Sequence, residues 1–165
     1  MFQPARIEDT DIIWEMLQQG IRRRKEDGSN QWQDGYPNRS VVEKDIRDGV
    51  GYVWVQDDEV LGYAALMLNN EPAYDNIEGE WLSNGDYIVV HRVVVHDQCL
   101  GKGISKQMFL WIEGWAKQQN IYSIKVDTNY DNQPMLHILQ HLGYQYCGEV
   151  YFRGSPRKAF EKVLK

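Results

Sequence analysis

The sequence predicts an α/β protein of the α+β type, with a central twisted, mixed β-sheet carrying helices on both faces. Three observations predict it. Apolar residues recur at helical spacing in four segments, and in alternating or short continuous runs in seven others. The resulting order, β-α-α-β-β-β-α-β-α-β-β, mixes hairpins with helical crossovers, which calls for antiparallel and parallel neighbours in one sheet. A chain of 165 residues, 12% aromatic and 25% charged, is long enough for a core and too apolar for disorder. One domain, residues 1–165, is expected.

Met1 to Pro4 is a short strand. Asp9 or Thr10 caps a helix running to about Lys25, with Ile12, Ile13, Met16, Leu17 and Ile21 as its apolar stripe. Asp27-Gly-Ser-Asn30 stops it, and the loop Gln31-Trp-Gln-Asp-Gly-Tyr-Pro37 follows. Ser40 or Asn38 caps a second short helix. Gly51 to Gln56 and Val60 to Leu68 form a hairpin turned at Asp57-Asp58-Glu59. A long acidic loop, Asn69 to Asp86, leads to the central strand, Tyr87 to Val95. A helix over Gly101 to Gln119 and a strand over Tyr122 to Asp127 come next. Asn132-Gln-Pro134 opens a fourth helix, since proline is tolerated in a first turn. Two last strands, Tyr144 to Phe152 and Lys158 to Leu164, turn at Gly154-Ser-Pro156.

The charge excludes one large class. With 18 basic against 24 acidic side chains the net charge is -6, and duplex nucleic acid asks for a basic face. The one basic cluster, Arg22-Arg-Arg-Lys25, ends a helix and complements its dipole there. Two cysteines, Cys99 and Cys147, make no disulfide framework, and no signal peptide or membrane-length apolar run occurs, so a cytoplasmic chain without membrane contact is expected.

Most of the functional information lies in Tyr87 to Ser105. An apolar strand enters a short polar turn, then Leu100-Gly-Lys-Gly-Ile-Ser105 opens an amphipathic helix. A glycine-containing turn at a helix N-terminus offers backbone N–H groups and a positive dipole end to a phosphate. A P-loop is excluded, because no stretch supplies Gly-x-x-x-x-Gly-Lys-Ser/Thr. A dinucleotide fingerprint, Gly-x-Gly-x-x-Gly, meets Lys106 at its third position, although Asp127 ends the next strand where a ribose-binding acid belongs.

The stretch from Val93 to Ser105 resembles the acyl-CoA-binding motif of the GNAT acetyltransferase superfamily, a strand followed by Arg/Gln-x-x-Gly-x-Gly/Ala and a helix. Gly103 is its central glycine. Asn132 followed by Met135, then Leu142-Gly-Tyr144, is similar to that superfamily's second block. The resemblance covers the chain in element order and implies a GNAT-like three-layer fold. It also implies N-acetyl transfer from acetyl-CoA to a primary amine of a small molecule or peptide. The alternative is a non-catalytic acyl-CoA-binding or sensing module.

Under the resemblance, backbone groups of Leu100, Gly101, Lys102, Gly103, Ile104, Ser105 and Lys106 cradle the pyrophosphate. The strand residues Val93, Val94 and Val95 flank the pantetheine arm, and Asn132 hydrogen-bonds it. Asn132 serves equally as a helix cap, and Lys102 and Lys106 equally as surface lysines. Leu100 stands at the Arg/Gln position and Ser105 at the last Gly/Ala position. The tyrosine that many members use as general acid falls at Leu139.

An acceptor amine with a lysine-like pKa of about 10.4 needs roughly 4–5 kcal/mol to deprotonate at pH 7, so a base is wanted. Strand alternation puts His91, Val93 and Val95 on one face and Arg92 and Val94 on the other. His91 suits proton relay, and Glu80 is the second candidate base. Arg92 reads as an ion-pair partner for a helix carboxylate. Trp32, Tyr36, Tyr74 and Trp81, beside Glu78 and Glu80, suit recognition of a cationic amine, or pack the loops against the core. No metal site is expected, since His137 and His141 lack a third ligand. Exposed strands could pair in a homodimer.

Overall fold

The computed structural model describes all residues, Met1–Lys165. Its strands are β1 (Phe2–Pro4), β2 (Gly51–Gln56), β3 (Glu59–Leu68), β4 (Glu78–Gly79), β5 (Ile88–Val95), β6 (Ser123–Thr128), β7 (Gln145–Phe152) and β8 (Ser155–Val163). The helices are α1 (Thr10–Glu26), α2 (Arg39–Arg47), α3 (Ile104–Gln118) and α4 (Gln133–His141). The sheet order is β1-β2-β3-β5-β6-β8-β7-β4, with β5 and β6 parallel and the pairs β1–β2, β2–β3, β6–β8, β7–β8 and β4–β7 antiparallel. The mixed sheet expected from the element order is therefore the observed one. No helix is long and apolar enough to cross a membrane.

The chain divides into two compact units. The first comprises Met1–Leu66 and His91–Trp111, the second Met67–Val90 and Ile112–Lys165. In the first, alternation along β2 sends Val53 and Trp54 to opposite sides. Val53 joins Tyr63 and Val94 beneath Ile13, Met16 and Leu17 of α1 and Val42 of α2. Trp54 meets Phe2 edge-on at 5.1 Å between ring centroids, and Phe2 meets Trp111 of α3 at 5.3 Å. Gly62 of β3 makes room for α3, because a Cβ there would come within 3.0 Å of the Met108 sulfur.

In the second unit, Tyr74, Val89, Val150 and Ala159 form a buried cluster with Trp81 and Tyr87 against it. β6 is buried at every position, which suits a strand with neighbours on both edges and cover on both faces. Glu113 of α3 is buried between the Tyr144 hydroxyl at 3.3 Å and the Lys162 ammonium at 2.8 Å, so its charge is matched inside the unit.

Several boundaries differ from the sequence reading. Both hairpin turns are tighter than expected, with two central residues each. Asp57 and Asp58 have φ of 51° and 64°, and Arg153 and Gly154 have 51° and 76°. Two positive-φ residues in succession match the right-handed strand twist, so the turns close early and β8 starts at Ser155, with Pro156 paired to Tyr151. The acidic segment 69–86 is more ordered than a loop. Pro72–Asn76 is a 3-10 turn, and β4 pairs with β7 as Glu78↔Glu149 and Gly79↔Gly148. The β4–β7 approach needs both glycines: a Cβ at Gly79 would lie 2.1 Å from the Cys147 carbonyl oxygen, and one at Gly148 would lie 2.2 Å from that of Glu78. Neither Asp9 nor Thr10 caps α1 by its side chain. The Asp9 carboxylate instead accepts from the Arg6 N–H at 2.8 Å, closing a 3-10 turn ahead of the helix.

Candidate functional site

The central feature of the first unit is β5 and the turn behind it. At its middle, Arg92 has φ of 54°, a left-handed conformation that costs an L-residue about 1–2 kcal/mol. The side chain explains why it persists. Arg92 Nε donates to Asp45 Oδ2 at 2.8 Å and Nη2 to Asp45 Oδ1 at 2.7 Å, a two-point clamp on α2. The Tyr63 hydroxyl donates to Asp45 at 2.6 Å, and Arg92 Nη1 donates to the Tyr36 hydroxyl oxygen. Burial alone would lower the Arg92 pKa, but the Asp45 hydrogen bonds and the neighbouring phenols raise it above the usual arginine value. Burial and the Asp45 charge push the Tyr63 phenol well up. Arg92 is thus the structural ion-pair partner that the sequence suggested, with Asp45 as its carboxylate.

Behind β5, Asp97–Cys99 forms a 3-10 turn, and Gly101 and Gly103 follow with φ of 75° and 74°. Both glycines are exposed, and a Cβ on either would meet no atom within 4 Å. Glycine is required there by backbone conformation, and the space above it is open. The expected helix start at Gly101 is corrected to Ile104, because these positive φ values are incompatible with helix. The first i→i−4 bond runs from the Gln107 N–H to the Gly103 carbonyl at 3.1 Å. The N–H groups of Ile104, Ser105 and Lys106 therefore precede the ladder. Leu100, Lys102 and Lys106 are exposed, Ser105 is half-buried, and Ile104 is buried as the first apolar anchor of α3.

The basic cluster of α1 does more than complement a dipole. Arg22 pairs with Asp97 at 3.1 Å, Arg23 pairs with the same carboxylate, and Arg23 Nη2 donates to the Val95 carbonyl at 3.1 Å. Gln19 Oε1 accepts from the Asp97 N–H at 3.0 Å. Three residues of α1 thus fix the end of β5 and the first half of the turn. A cavity of about 370 Å³ bordered by Ile12, Val60, Leu61, His96 and Gln98 adjoins the turn but includes neither glycine.

His91 is half-buried on β5 beside Arg92, and Val93, Val94 and Val95 are buried. Val94 packs under α1, where Gly20 leaves room for both it and Trp32. Trp32 is buried in the α1–α2 core with the Arg24 guanidinium 3.7 Å from its ring centroid. It therefore packs the loop and does not present a surface to an acceptor. Tyr36, in the same loop, is half-buried and bonded to Arg92.

The remaining candidates lie in the second unit. Tyr74, expected at the acceptor, is instead fully buried, its hydroxyl donating to Asp127 at 2.6 Å, and it fills the core of the second unit. Burial, then the Asp127 charge, raises its pKa. The Trp81 indole N–H donates to the Tyr74 carbonyl at 2.9 Å. Glu80 is exposed, and its backbone N–H donates to the Cys147 carbonyl at 3.1 Å. The segment carrying both is pinned by Glu161, which is fully buried and accepts from the Leu82 N–H at 2.7 Å, the Ser123 hydroxyl at 2.6 Å and the Ser83 hydroxyl. Lys125 lies between Trp81 and Tyr87, 4.4 and 3.8 Å from the ring centroids, and burial lowers its pKa. Asn132 caps α4, its Oδ1 accepting from the Met135 N–H at 3.3 Å.

A strand with a left-handed residue at its middle thus runs into a turn that carries two left-handed glycines at the N-terminus of α3. The family model described as "Acetyltransferase (GNAT) family" matches residues 14–144. The chain belongs to the GNAT acetyltransferase family. A GNAT-family acetyltransferase from Streptococcus agalactiae has the same fold, with a TM-score of 0.89 at 34% identity over 100% of this chain and 95% of that one. An N-acetyltransferase from Staphylococcus aureus follows at TM-score 0.68 and 19% identity, covering 100% and 98% of the two chains. The NatC complex bound to Gag peptide and coenzyme A contains a chain at TM-score 0.68 and 11% identity, covering 100% and 98%. At those last two identities the likeness concerns the fold alone. A comparison with curated proteins finds no match. GNAT proteins transfer acetyl groups and use acetyl-CoA, so acetyl transfer is the class of reaction here.

Proposed function

We propose that this GNAT protein is an N-acetyltransferase that moves the acetyl group of acetyl-CoA to a primary amine of a small molecule or peptide, the amine attacking the thioester directly. The observation that carries the reading is the turn at Gly101 and Gly103, whose left-handed backbone opens the α3 N-terminus to an anion. Pyrophosphate sits on the amides of Gly101 and of Gly103 to Lys106, where the helix dipole and N–H donors replace its hydration, since the Leu100 and Lys102 N–H groups expected in the cradle donate to the Asp97 and Cys99 carbonyls. No side chain is needed from position 100, so Leu100 is tolerated, and Lys102 and Lys106 add positive charge. The pantetheine arm runs along Val93 to Val95 as an added strand, taking backbone hydrogen bonds. A Val93 amide can hold the carbonyl oxygen as the tetrahedral intermediate forms, a donor aimed where charge develops.

The acceptor must shed a proton before or during attack, which costs a lysine-like amine about 4–5 kcal/mol at neutral pH. His91, half-buried beside the left-handed Arg92, is the first candidate to relay that proton, and Glu80 is the second. The decisive assay incubates the protein with acetyl-CoA and a panel of amines and follows thiol release. Amine-stimulated release supports the transferase. Binding of acetyl-CoA without turnover of any amine leaves a sensing module instead. His91→Ala and Glu80→Gln, measured singly, then assign the base by the larger loss of kcat/KM.

A further inference from the structure

Strand alternation in the second unit leaves one cation without a fitting partner. Arg157 of β8 stands directly opposite Val150 of β7 and two residues before Ala159, so it shares the face on which Val150 and Ala159 are buried with Tyr74. Its side chain is only 12% exposed, and its Nε is buried with no hydrogen-bond partner. Nη1 approaches Asp127 Oδ1 at 3.7 Å, too far for a hydrogen bond. Asp127 meanwhile accepts from the Tyr74 hydroxyl at 2.6 Å. The aromatic contact is loose as well, with the guanidinium carbon 5.2 Å from the Phe152 ring centroid.

Lysine and arginine answer burial differently. Lys125 of β6 rests between the Trp81 and Tyr87 rings, and burial lowers its pKa. Arg157 has no such release, because a guanidinium keeps its charge in any protein setting. Buried charged donors without acceptors are costly. The acceptor that matches a guanidinium fork is a planar carboxylate, held by two parallel N–H bonds. Asp127 already supplies one negative charge beside it, so a monoanion suits the place better than a phosphate dianion.

The register puts this cation at the carboxyl end of β6. Thr128, the last residue of that strand, pairs with Lys158, and Arg157 is the next residue outward. β6 runs parallel to β5, and ligands of open sheets lie beyond the carboxyl ends of parallel strands. The chain leaving the same end leads to Asn132, the residue expected at the pantetheine arm.

We propose that Arg157 binds a carboxylate of the acceptor, so that the amine acetylated belongs to an amino acid or a similarly small amino-carboxylate. The inference rests on the transferase reading above and names its acceptor class.

The test offers each standard amino acid and its α-amide as acceptors and measures kcat/KM by thiol release. Wild type, Arg157→Gln and Arg157→Lys are compared, beside thermal melts. Removing the carboxylate makes the amine less basic, so amine reactivity by itself favours the amide. The site should reverse this, with the preferred amino acid exceeding its amide by about 10²-fold or more. That ratio collapses to near one in Arg157→Gln, and Arg157→Lys, which keeps the charge but not the fork, recovers part of it. The Arg157→Gln melt stays close to wild type, because Asp127 keeps its Tyr74 bond. A role confined to pairing Asp127 would instead lower the melt and depress acid and amide alike. Amides transferred as well as their acids, or a preference that survives Arg157→Gln, overturns the assignment. If only amines without a carboxylate are acetylated, this inference falls and the transferase reading stands. If no amine of any kind is acetylated, the transferase reading falls first and takes this inference with it.

Discussion

Asp45→Ala probes the device that shapes β5. Asp45 accepts two bonds from Arg92 and one from Tyr63, and the side chains of Asp45 and Arg92 are only 6% and 10% exposed. Removing one partner of a buried ion pair costs about 3–5 kcal/mol, because the other charge stays desolvated. The Tyr63 phenol, stripped of a charged acceptor, adds about 1.5 kcal/mol. The sum, about 4.5–6.5 kcal/mol, is a large share of the roughly 5–15 kcal/mol that holds a typical domain together. For a chain of this size the melting temperature should drop by roughly 9–26 °C. Urea unfolding followed by circular dichroism reads the loss, with Tyr63→Phe as the control. That variant removes one bond to a charge and should cost about 1.5–3 kcal/mol. If Asp45→Ala costs no more than Tyr63→Phe, the ion pair is not what sustains the left-handed residue at Arg92, and this account of β5 is wrong.

Three other outcomes follow from the same structure. Gly148→Ala should push β4 off the β7 edge, since its Cβ would lie 2.2 Å from the Glu78 carbonyl oxygen. Size-exclusion chromatography should then show self-association through the bared strand, and an unchanged monomer-to-oligomer ratio would contradict this. Asp97→Ala should raise the coenzyme A Kd several-fold while barely moving the melt, because its partly exposed pairs with Arg22 and Arg23 fix the turn without filling the core. An unaffected Kd would show that the turn holds its shape unaided. Stability should also decline as pH rises past about 10. Burial, then the charges of Asp45, Asp127 and Glu113, raises the phenols of Tyr63, Tyr74 and Tyr144. The unfolded chain sheds those protons near pH 10 while the folded one keeps them, so their contribution is complete below that pH and lost above it. A urea midpoint that stays flat from about pH 8 to pH 11 would contradict the assignment.

Local pattern carried the fold well. Period-2 and period-3.6 apolar spacing is a property of neighbouring residues, and all four helices and seven principal strands could be located from it. The lone arginine inside Tyr87 to Val95 could be read as an ion-pair partner because an unpaired charge in an apolar strand is costly. What stayed hidden depends on distant residues. Nothing near Asp97 shows that Arg22 and Arg23, more than seventy positions earlier, clamp it. Tyr74 sits in an acidic stretch and looks exposed, yet Pro72 opens a helical turn that delivers it to Asp127 in the core. Trp32 shows the same limit, since its partner Arg24 lies across the turn that ends α1. Two-residue hairpin turns without Asn-Gly, such as Asp57-Asp58, leave little trace in sequence because aspartate is a weaker mark of positive φ than glycine. Glu161 gives no sign of its role in the sequence, for a glutamate is ordinarily solvated, and only the pairing of β8 between β6 and β7 buries it.

The central claim is that the amides at the α3 N-terminus, opened by Gly103, bind coenzyme A. Titration calorimetry of the wild-type chain and of Gly103→Glu with coenzyme A tests it most directly. The account predicts a saturable heat and thermal stabilisation for the wild type, both absent in the variant although its circular dichroism is unchanged. A wild-type chain that gives neither heat nor stabilisation, or a variant that binds equally well, would contradict it.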